Sequence, residues 1–269
     1  MANLSREMEE LGMLQYGVSD HYHSRYNYPN LASARNEFLE ARKTSAFHFG
    51  AEVSVMSRWE CEKIAAGDYV RDDLTPVYGI REGLPPDAEY HLDMNADDVK
   101  TLGLEYVIGG CHWPLHFPGT QSQLIDDYYE QLMYLATHPL VDIVAHPWWS
   151  LEMIDIGKGF CKIRKPYDFA IFEKIPQRFF ENLGQAFVDN GKLAEINAGM
   201  IIPRVSTEDY ARRYLKMLVG WKEQGVRFSF GDDLHEEHFN RHVFSAAEAM
   251  LTHAGFTEED FYLPAFMKN

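Results

Sequence analysis

The sequence predicts an α/β protein with a largely parallel β-sheet. Hydrophobic spacing alternates along the chain between a helical period of about 3.6 residues and short apolar runs, the order typical of β/α units. Imidazole or carboxylate side chains stand at or near the end of each apolar run, which indicates one shared edge of the sheet. The chain contains no internal repeat and no linker segment, so residues 1–269 are interpreted as one domain.

The first half of the chain contains three predicted strands. Ser5 is the expected N-cap of a first helix that ends near Gly12, because a serine hydroxyl can accept a hydrogen bond from a free backbone N–H. Glycine and proline residues between positions 57 and 92 predict an irregular insertion with one short helix. The predicted elements are a helix at 5–11, a strand at 14–19, a helix at 30–43, a strand at 46–55, the short helix at 60–66, a helix at 95–102 and a strand at 104–109.

The second half contains three further predicted strands and a second loop-rich stretch at residues 147–172. A helix is expected before each of these strands, which favours parallel pairing with right-handed crossovers. The predicted elements are a helix at 123–137, a strand at 141–145, a helix at 173–190, a strand at 193–197, a helix at 206–224, a strand at 226–231 and a helix at 242–254.

Composition and charge exclude several classes of protein. The 25 Lys and Arg residues against 41 Asp and Glu residues give a net charge of −16, and no basic cluster is longer than residues 162–165, so a long nucleic-acid partner is not expected. No apolar run approaches the ~20 residues of a membrane span, and the first residues do not resemble a signal peptide. Three widely spaced cysteines do not form a disulfide framework. We therefore expect a cytoplasmic protein without a membrane partner.

Polar side chains with metal-ligand chemistry stand in or after all six predicted strands. They are Asp20, His21 and His23; Glu52; His112 and His116; His146; Glu195 and Asn197; and Asp232, Asp233 and His235. One such residue alone is more often a surface or core side chain, but a converging set of imidazoles and carboxylates favours Zn, Mn or Fe. A site without thiolates is typical of catalytic metal, and hydrolysis by a metal-activated water is the expected chemistry.

At these residues the sequence resembles the PHP (polymerase and histidinol phosphatase) family of metal-dependent phosphoesterases. The matching segments, in the order of the family's motifs and with nearly its spacing, are YGVSDHYHS, FGAE, YVIGGCHW, DIVAHP, LAEIN and FGDDLH, between about residues 5 and 240. The resemblance implies a distorted (β/α)7-type barrel and a phosphoesterase activity that depends on two or three divalent ions.

The resemblance also implies a role for each matching residue. By this resemblance Glu52 would bridge two ions, and His112 and His146 would complete the ligand set of one of them. Asp233 would bind the second ion, and His21 and His235 would bind the third. Glu195 and Asn197 would shape the wall of the site.

The sequence departs from the family pattern at its beginning. The family opens with an H-x-H motif on a first strand, whereas the 19 residues before Asp20 contain neither His nor Asp. Two interpretations stay open: the chain start is truncated, or a reduced site uses Asp20, His23 or His116 instead. Either way the barrel is expected to be incomplete at its first strand, with the gap covered by a subunit of a homo-oligomer or by the insertion at 57–92.

Cationic and aromatic side chains in the predicted loops are candidate contacts to a phosphorylated substrate. Arg204 is preferred for a non-bridging phosphate oxygen, with a surface ion pair as its alternative. The tryptophans follow two proposed metal-binding histidines, where they form an apolar wall for a leaving group or pack beneath the loops. The substrate candidates are Arg25, Arg81, Arg204, Trp113, Trp148, Trp149 and Asn197, and the catalytic candidates are Arg204 and His23, a histidine that could protonate the leaving group.

The sequence as a whole favours a metal-dependent hydrolase of small phosphomonoesters or phosphodiesters. Two alternatives stay open: a non-catalytic binding or regulatory protein with a PHP-like barrel, and a metal-dependent hydrolase of carbon esters or amides, because an activated water does not itself select phosphorus.

Overall fold

The protein, represented by a computed structural model, is built around a parallel β-sheet of six strands. The structure describes residues 1–71, 75–80, 85, 88–116, 119–149, 151, 169–201, 207–235 and 239–264. Within them the strands are β1 (Tyr16–Tyr22), β2 (Phe47–Ser54), β3 (Met56–Ser57), β4 (Tyr90–His91), β5 (Tyr106–Gly110), β6 (Ile143–Val144), β7 (Leu193–Asn197) and β8 (Arg227–Gly231). The order across the sheet is β1-β2-β5-β6-β7-β8, and β3 pairs with β4 antiparallel.

Helices alternate with these strands along the chain. They are α1 (Ala2–Glu10), α2 (Tyr28–Ala41), α3 (Arg58–Ala66), α4 (Ala96–Leu102), α5 (Gln121–Thr137), α6 (Gln177–Asn190), α7 (Ala198–Ile201), α8 (Glu208–Gln224) and α9 (Arg241–His253). Their ends follow ordinary capping chemistry: the Thr207 side chain accepts the Tyr210 N–H at the start of α8, and Gly225 ends that helix with a left-handed φ of 90°. No described helix combines the length and the apolar composition of a membrane span.

Strand β2 shows why the sheet forms the core. All eight of its residues are buried, as expected for a parallel strand covered on both faces. Phe47 and Phe49 are both fully buried and pack against Phe38 of α2, Phe49 in a stacked and Phe47 in a tilted arrangement. Each of these rings contributes roughly 1.5–3 kcal/mol through burial, which fixes α2 on one face of the sheet. Glu52 on the same strand is therefore held rigidly in the interior.

Elements near the two ends of the described chain lie beside the edge strands of the sheet, β1 and β8. Helix α1 precedes β1, and its Glu7 carboxylate accepts the backbone N–H of Phe239 at 2.8 Å. Beyond β8, the N–H of Tyr262 donates to the Phe228 carbonyl at 2.8 Å, in a parallel bridge beside that strand. The β8 edge is therefore covered at Phe228 by C-terminal residues.

A cavity of about 580 Å³ lies between β1 and β8. Its floor is apolar and includes side chains of α1, the sheet and the C-terminal segment, such as Met8, Tyr106, Ile143, Phe230 and Phe261. Its other end is polar, because the carboxyl ends of β1, β2, β7 and β8 open into it. The incomplete barrel thus has an interior that is accessible at its candidate site.

The predicted succession of six parallel strands is confirmed, although several boundaries differ. Strand β1 starts at Tyr16 and continues to Tyr22, so Asp20 and His21 lie within the strand rather than after it. Strand β6 contains only Ile143–Val144. The predicted irregular stretch at 57–92 includes helix α3 and, at its ends, the short β3 and β4 pair.

Two helix predictions were wrong for identifiable reasons. Ser5 is not an N-cap but lies inside α1, where its hydroxyl is 3.1 Å from the hydroxyl of Tyr16. The helix predicted at 173–190 is divided into a 3-10 segment, Phe169–Lys174, and α6, which begins after Pro176. Proline has no backbone N–H to continue a helix, so it separates the two segments.

Candidate metal centre

The buried carboxylate of Glu52 is the centre of a cluster of imidazoles. Its Oε1 lies 2.8 Å from Nε2 of His112 and 3.4 Å from Nε2 of His146, and its Oε2 lies 4.0 Å from Nε2 of His21. Parallel pairing sets His21 beside Glu52 in register on neighbouring strands. His112 and His146 each follow the end of a strand by two residues. The structure therefore brings together four of the six predicted metal ligands around one carboxylate.

The other two predicted ligands, Asp233 and His235, lie after β8 beside the same cluster. The His235 ring stacks on the His21 ring with centroids 5.3 Å apart. Its Nδ1 is 2.8 Å from the backbone oxygen of Asp233, and both side chains border the cavity. His235 is largely exposed, so it marks the solvent side of the site.

A second buried carboxylate, Glu195, stands on β7 behind His146. Its Oε2 accepts the backbone N–H of His146 at 2.6 Å. Burial raises the pKa of Glu195 to about 7. Glu195 thus fixes the main chain that carries His146, in agreement with its expected place in the wall of the site.

The electrostatics of the pair Glu52 and His146 favour an ionised carboxylate. Burial alone would raise the pKa of Glu52, but contacts with His112 and His146 outweigh it and hold that pKa well below its ordinary value. Burial lowers the pKa of His146, while the contact with Glu52 raises it, to about 9. Glu52 therefore presents anionic oxygens in the pH range where proteins operate.

Backbone geometry at the site is unusual in two ways. His146 and Asp233 have positive φ angles of 26° and 50°, which cost non-glycine residues about 1–3 kcal/mol and cluster at functional sites. At Gly110 an added Cβ would lie 2.4 Å from Cε1 of His112 and 3.0 Å from Oε1 of Glu52. Only glycine at the end of β5 therefore leaves room for the close approach of these two side chains.

The chemistry of this donor set fits a divalent cation. One ligand atom from each of His21, Glu52 and His112 lies within 4.8 Å of the others. The Nε2 atoms of His112 and His146 both face Oε1 of Glu52, so both imidazoles present a donor atom on the side of the carboxylate. Imidazole and carboxylate ligands without thiolate suit Zn, Mn or Fe.

Two residues that the sequence did not single out support His112 and its loop. Ser54 Oγ lies 2.8 Å from Nδ1 of His112 and 2.5 Å from Nδ1 of His23. Buried Asp127 on α5 accepts the backbone N–H groups of Leu115 and His116 and contacts the His116 ring at 2.9 Å. Serine and aspartate at such positions are common in strands and helices, so no sequence signal distinguished them.

The remaining predicted site residues have varied surroundings. His23 is buried beside Ser54, and Trp113 packs against the rings of His23 and His112. The Trp148 indole stacks with Tyr129 and packs edge-on against Phe180. Its place in a wall for the leaving group stays a prediction.

The polar substrate candidates also differ in their surroundings. The Arg25 guanidinium is paired with Asp98 at 2.7 Å, and the Asn197 Oδ1 accepts the Gly199 N–H at 2.9 Å. Arg81 and Arg204 lie outside the described residues. The substrate-binding roles of all four stay predictions.

The fold and the cluster around Glu52 define an α/β protein with an incomplete (β/α) barrel and a candidate metal centre at the carboxyl ends of its strands. Searches of protein-family models and of curated proteins find no match to this sequence. Among solved structures, the chain is similar to a histidinol phosphate phosphatase from Lactococcus lactis, with a TM-score of 0.53 and 14% identity over 99% of this chain and 90% of that chain. That structure is a complex with zinc, L-histidinol and phosphate. The similarity confirms the predicted fold.

Proposed function

We propose that the protein is a metal-dependent phosphoesterase that hydrolyses a small phosphomonoester or phosphodiester. The observation that carries this proposal is the convergence of His21, His112 and His146 on the buried carboxylate of Glu52. The phosphatase from Lactococcus lactis, which shares the fold, was crystallised with zinc and phosphate, and this supports the same class of chemistry here.

The proposed ligands are the six residues predicted from the sequence, and each has a suitable donor atom. They are His21, Glu52, His112, His146, Asp233 and His235. Two or three divalent ions held by this set would activate a water and neutralise charge on the phosphoryl group.

The protein's own groups orient this set. Glu52, ionised through its contacts with His112 and His146, presents oxygens to both sides of the cluster. Ser54 holds Nδ1 of His112 and thereby turns its Nε2 toward Glu52. In this proposal His23, which contacts Ser54, is a positioning residue rather than the proton donor that the sequence favoured.

His235 is the most exposed of the proposed ligand histidines. It borders the cavity, and its Nδ1 contacts the backbone oxygen of Asp233. Its Nε2 is then the atom that would hold an ion, so in this proposal His235 does not also serve as the proton donor. Arg204 is retained as the proposed contact to a non-bridging phosphate oxygen.

The cavity favours a small substrate with an apolar part. Its volume of about 580 Å³ lies within the range of ordinary ligand pockets, roughly 300–1,000 Å³. Aromatic side chains, including Tyr106 and Phe230, line the cavity together with the proposed ligands. A phosphate at the polar end would therefore direct its alcohol group toward this apolar floor.

The decisive test replaces the central carboxylate. Glu52→Gln keeps the shape of the side chain but removes the anionic oxygens, so we expect metal content to fall and zinc- or manganese-dependent hydrolysis of p-nitrophenyl phosphate to drop by more than about 100-fold, the upper end of what outer-shell changes cause. Glu248→Gln removes the same charge from an exposed position on α9 and should leave both unchanged. Full activity of the Glu52→Gln protein would contradict the proposal.

The choice of substrate separates the alternatives. Bis(p-nitrophenyl) phosphate distinguishes a diesterase from a monoesterase, and p-nitrophenyl acetate reports a carbon-ester hydrolase. Turnover of the acetate alone would reject phosphoester hydrolysis in favour of carbon-ester chemistry. A protein that binds metal and turns over none of the three would favour the non-catalytic alternative.

A further inference from the structure

A second cluster of metal-ligand side chains lies apart from the centre around Glu52. It consists of Cys61 on α3, His91 on β4 and Asp93, two residues beyond β4, and one ligand atom of each lies within 4.8 Å of the others. These residues are close because α3 starts directly after β3, and the β3 and β4 pairing sets Met56 opposite His91. Cys61 and His91 are thirty positions apart in the sequence, so no short sequence motif indicated this cluster.

The surroundings of the cluster are buried enough to favour an ion over water. Cys61 is buried with Met56, Ile64 and Ile80, and His91 and Asp93 are half-buried. No hydrogen bond joins the three side chains to one another among the residues that the structure describes. Zinc with a Zn–S distance of about 2.3 Å and Zn–N of about 2.0–2.1 Å sets neighbouring ligand atoms about 3.6 Å apart, so only small movements would close the cluster on an ion.

The nearby charges are mostly negative. Glu60 and Glu62 face the cluster from α3, and Glu89 faces it from the residue before β4. Arg58 and Arg25 are opposing positive charges, and they are paired with Glu89 at 3.2 Å and with Asp98 at 2.7 Å. The local field therefore favours a divalent cation.

We propose that Cys61, His91 and Asp93 bind a zinc ion, with water as the fourth ligand. A thiolate, an imidazole and a carboxylate form a mixed donor set that selects zinc over magnesium or calcium. Binding transfers the Cys61 thiol proton to solvent, and the sulfur then donates an electron pair to the metal. Because burial raises the pKa of this thiol well above its ordinary value, the proton leaves only when a metal replaces it.

The ion would fasten the insertion to the end of β1. The Asp93 carboxylate already accepts the Arg25 N–H at 2.6 Å, and its backbone oxygen accepts the Tyr22 hydroxyl at 3.2 Å. These two residues flank His23 and Ser24, so zinc at the second cluster would stabilise the segment that brings His23 to Ser54. This inference does not rest on the proposed phosphoesterase activity.

Cobalt substitution tests the site directly, because a thiolate bound to Co²⁺ gives an intense near-ultraviolet charge-transfer band that His and carboxylate ligands do not give. We expect this band when the metal-depleted full-length protein is titrated with Co²⁺, and we expect Cys61→Ser to abolish it and to lower zinc content by one ion per chain. Cys111→Ser and Cys161→Ser should keep the band, as should Glu52→Gln, which disrupts only the first centre.

Two outcomes would overturn the proposal: absence of the band in the unmodified protein, or a band that survives Cys61→Ser. If Cys61→Ser does not fold, as judged by circular dichroism, His91→Gln and Asp93→Asn replace it. Both retain the thiol, and each should need at least about tenfold more Co²⁺ to develop the band. Unchanged titrations in both variants would equally reject the site.

Discussion

The imidazole of His112 is held at both of its nitrogens. Nε2 contacts Glu52 at 2.8 Å, and Nδ1 contacts Ser54 Oγ at 2.8 Å. The second contact fixes which nitrogen faces the cluster, the usual role of a group behind a metal-binding histidine. His23 completes this chain through its own Nδ1. Orientation of one proposed ligand thus depends on a hydroxyl that has no metal chemistry of its own.

Removal of that hydroxyl should weaken the site without touching a proposed ligand. Ser54→Ala is expected to lower metal affinity or kcat by about 10- to 100-fold, because His112 then loses its fixed orientation. Isothermal titration with Zn²⁺ and steady-state kinetics measure the two effects. Ser229→Ala removes a hydroxyl from the cavity lining instead and should change neither. Equal behaviour of the two variants would show that Ser54 does not orient His112.

Residue type and position along the strands predicted which polar side chains lie near one another. The six predicted ligands are neighbours because each stands near the carboxyl end of a strand of the same sheet, or just after it. Ser54 and Asp127 were missed because their function lies in a hydrogen bond, which depends on distances between elements that are far apart in the sequence. The ion pair of Arg25, a predicted phosphate contact, with Asp98 was missed for the same reason.

At the scale of elements, the end of β5 is shaped for the metal centre. Gly110 is the last residue of the strand, and the two side chains that approach it are the ones that form the 2.8 Å contact. A methyl group at this position would overlap His112, so the glycine is needed for the contact between His112 and Glu52 and not only for packing of the strand.

Two glycine substitutions separate this role from general stability. Gly110→Ala should force His112 away from Glu52 and lower metal affinity by more than about tenfold, close to the effect of a lost supporting contact. Gly220→Ala lies in the interior of α8 with open space around it and should instead raise the free energy of unfolding by about 0.5–1 kcal/mol. Metal titration and thermal unfolding of both variants measure the two expected effects. Unaltered metal binding by Gly110→Ala would disprove the steric explanation.

Elements with strong local signals were predictable, and those that depend on partners were not. Apolar runs identified all six strands of the sheet, and Gly67, Gly103 and Gly225 end helices in the left-handed conformation that glycine favours. Ser5 was misassigned because its hydroxyl contacts Tyr16, a strand residue, instead of a helical N–H. The β3 and β4 pair has two residues per strand, which is too short to show a period.

The whole molecule closes its incomplete barrel with the two ends of the described chain. A protein that stops at Asp260 lacks Phe261 and Tyr262, so it should lose about 2–4 kcal/mol of stability through lost burial and the lost hydrogen bond to Phe228. A protein that stops at Pro264 keeps these contacts and is the matched control. Denaturant unfolding compares them, and equal stability of the two truncated proteins would refute the role of this segment.

Exposure of the β8 edge has a second expected effect. Unpaired strand edges promote association between chains. Sedimentation analysis of the same two proteins therefore also examines the predicted homo-oligomer, because only the shorter chain should gain additional association.

The contacts that close the cavity have consequences for the order of folding. The bond from the Phe239 N–H to Glu7 spans 232 positions of the chain, whereas β2, β5 and β6, which are neighbours in the sheet, all lie between residues 47 and 144. Long separations make loop closure costly and slow, so the ligands on β2, β5 and β6 should assemble before the cavity walls meet. Pulsed hydrogen exchange during refolding should then show protection at Phe49 before protection at Tyr262. The metal centre would thus be open to ions in the medium during refolding and would become a pocket only afterwards.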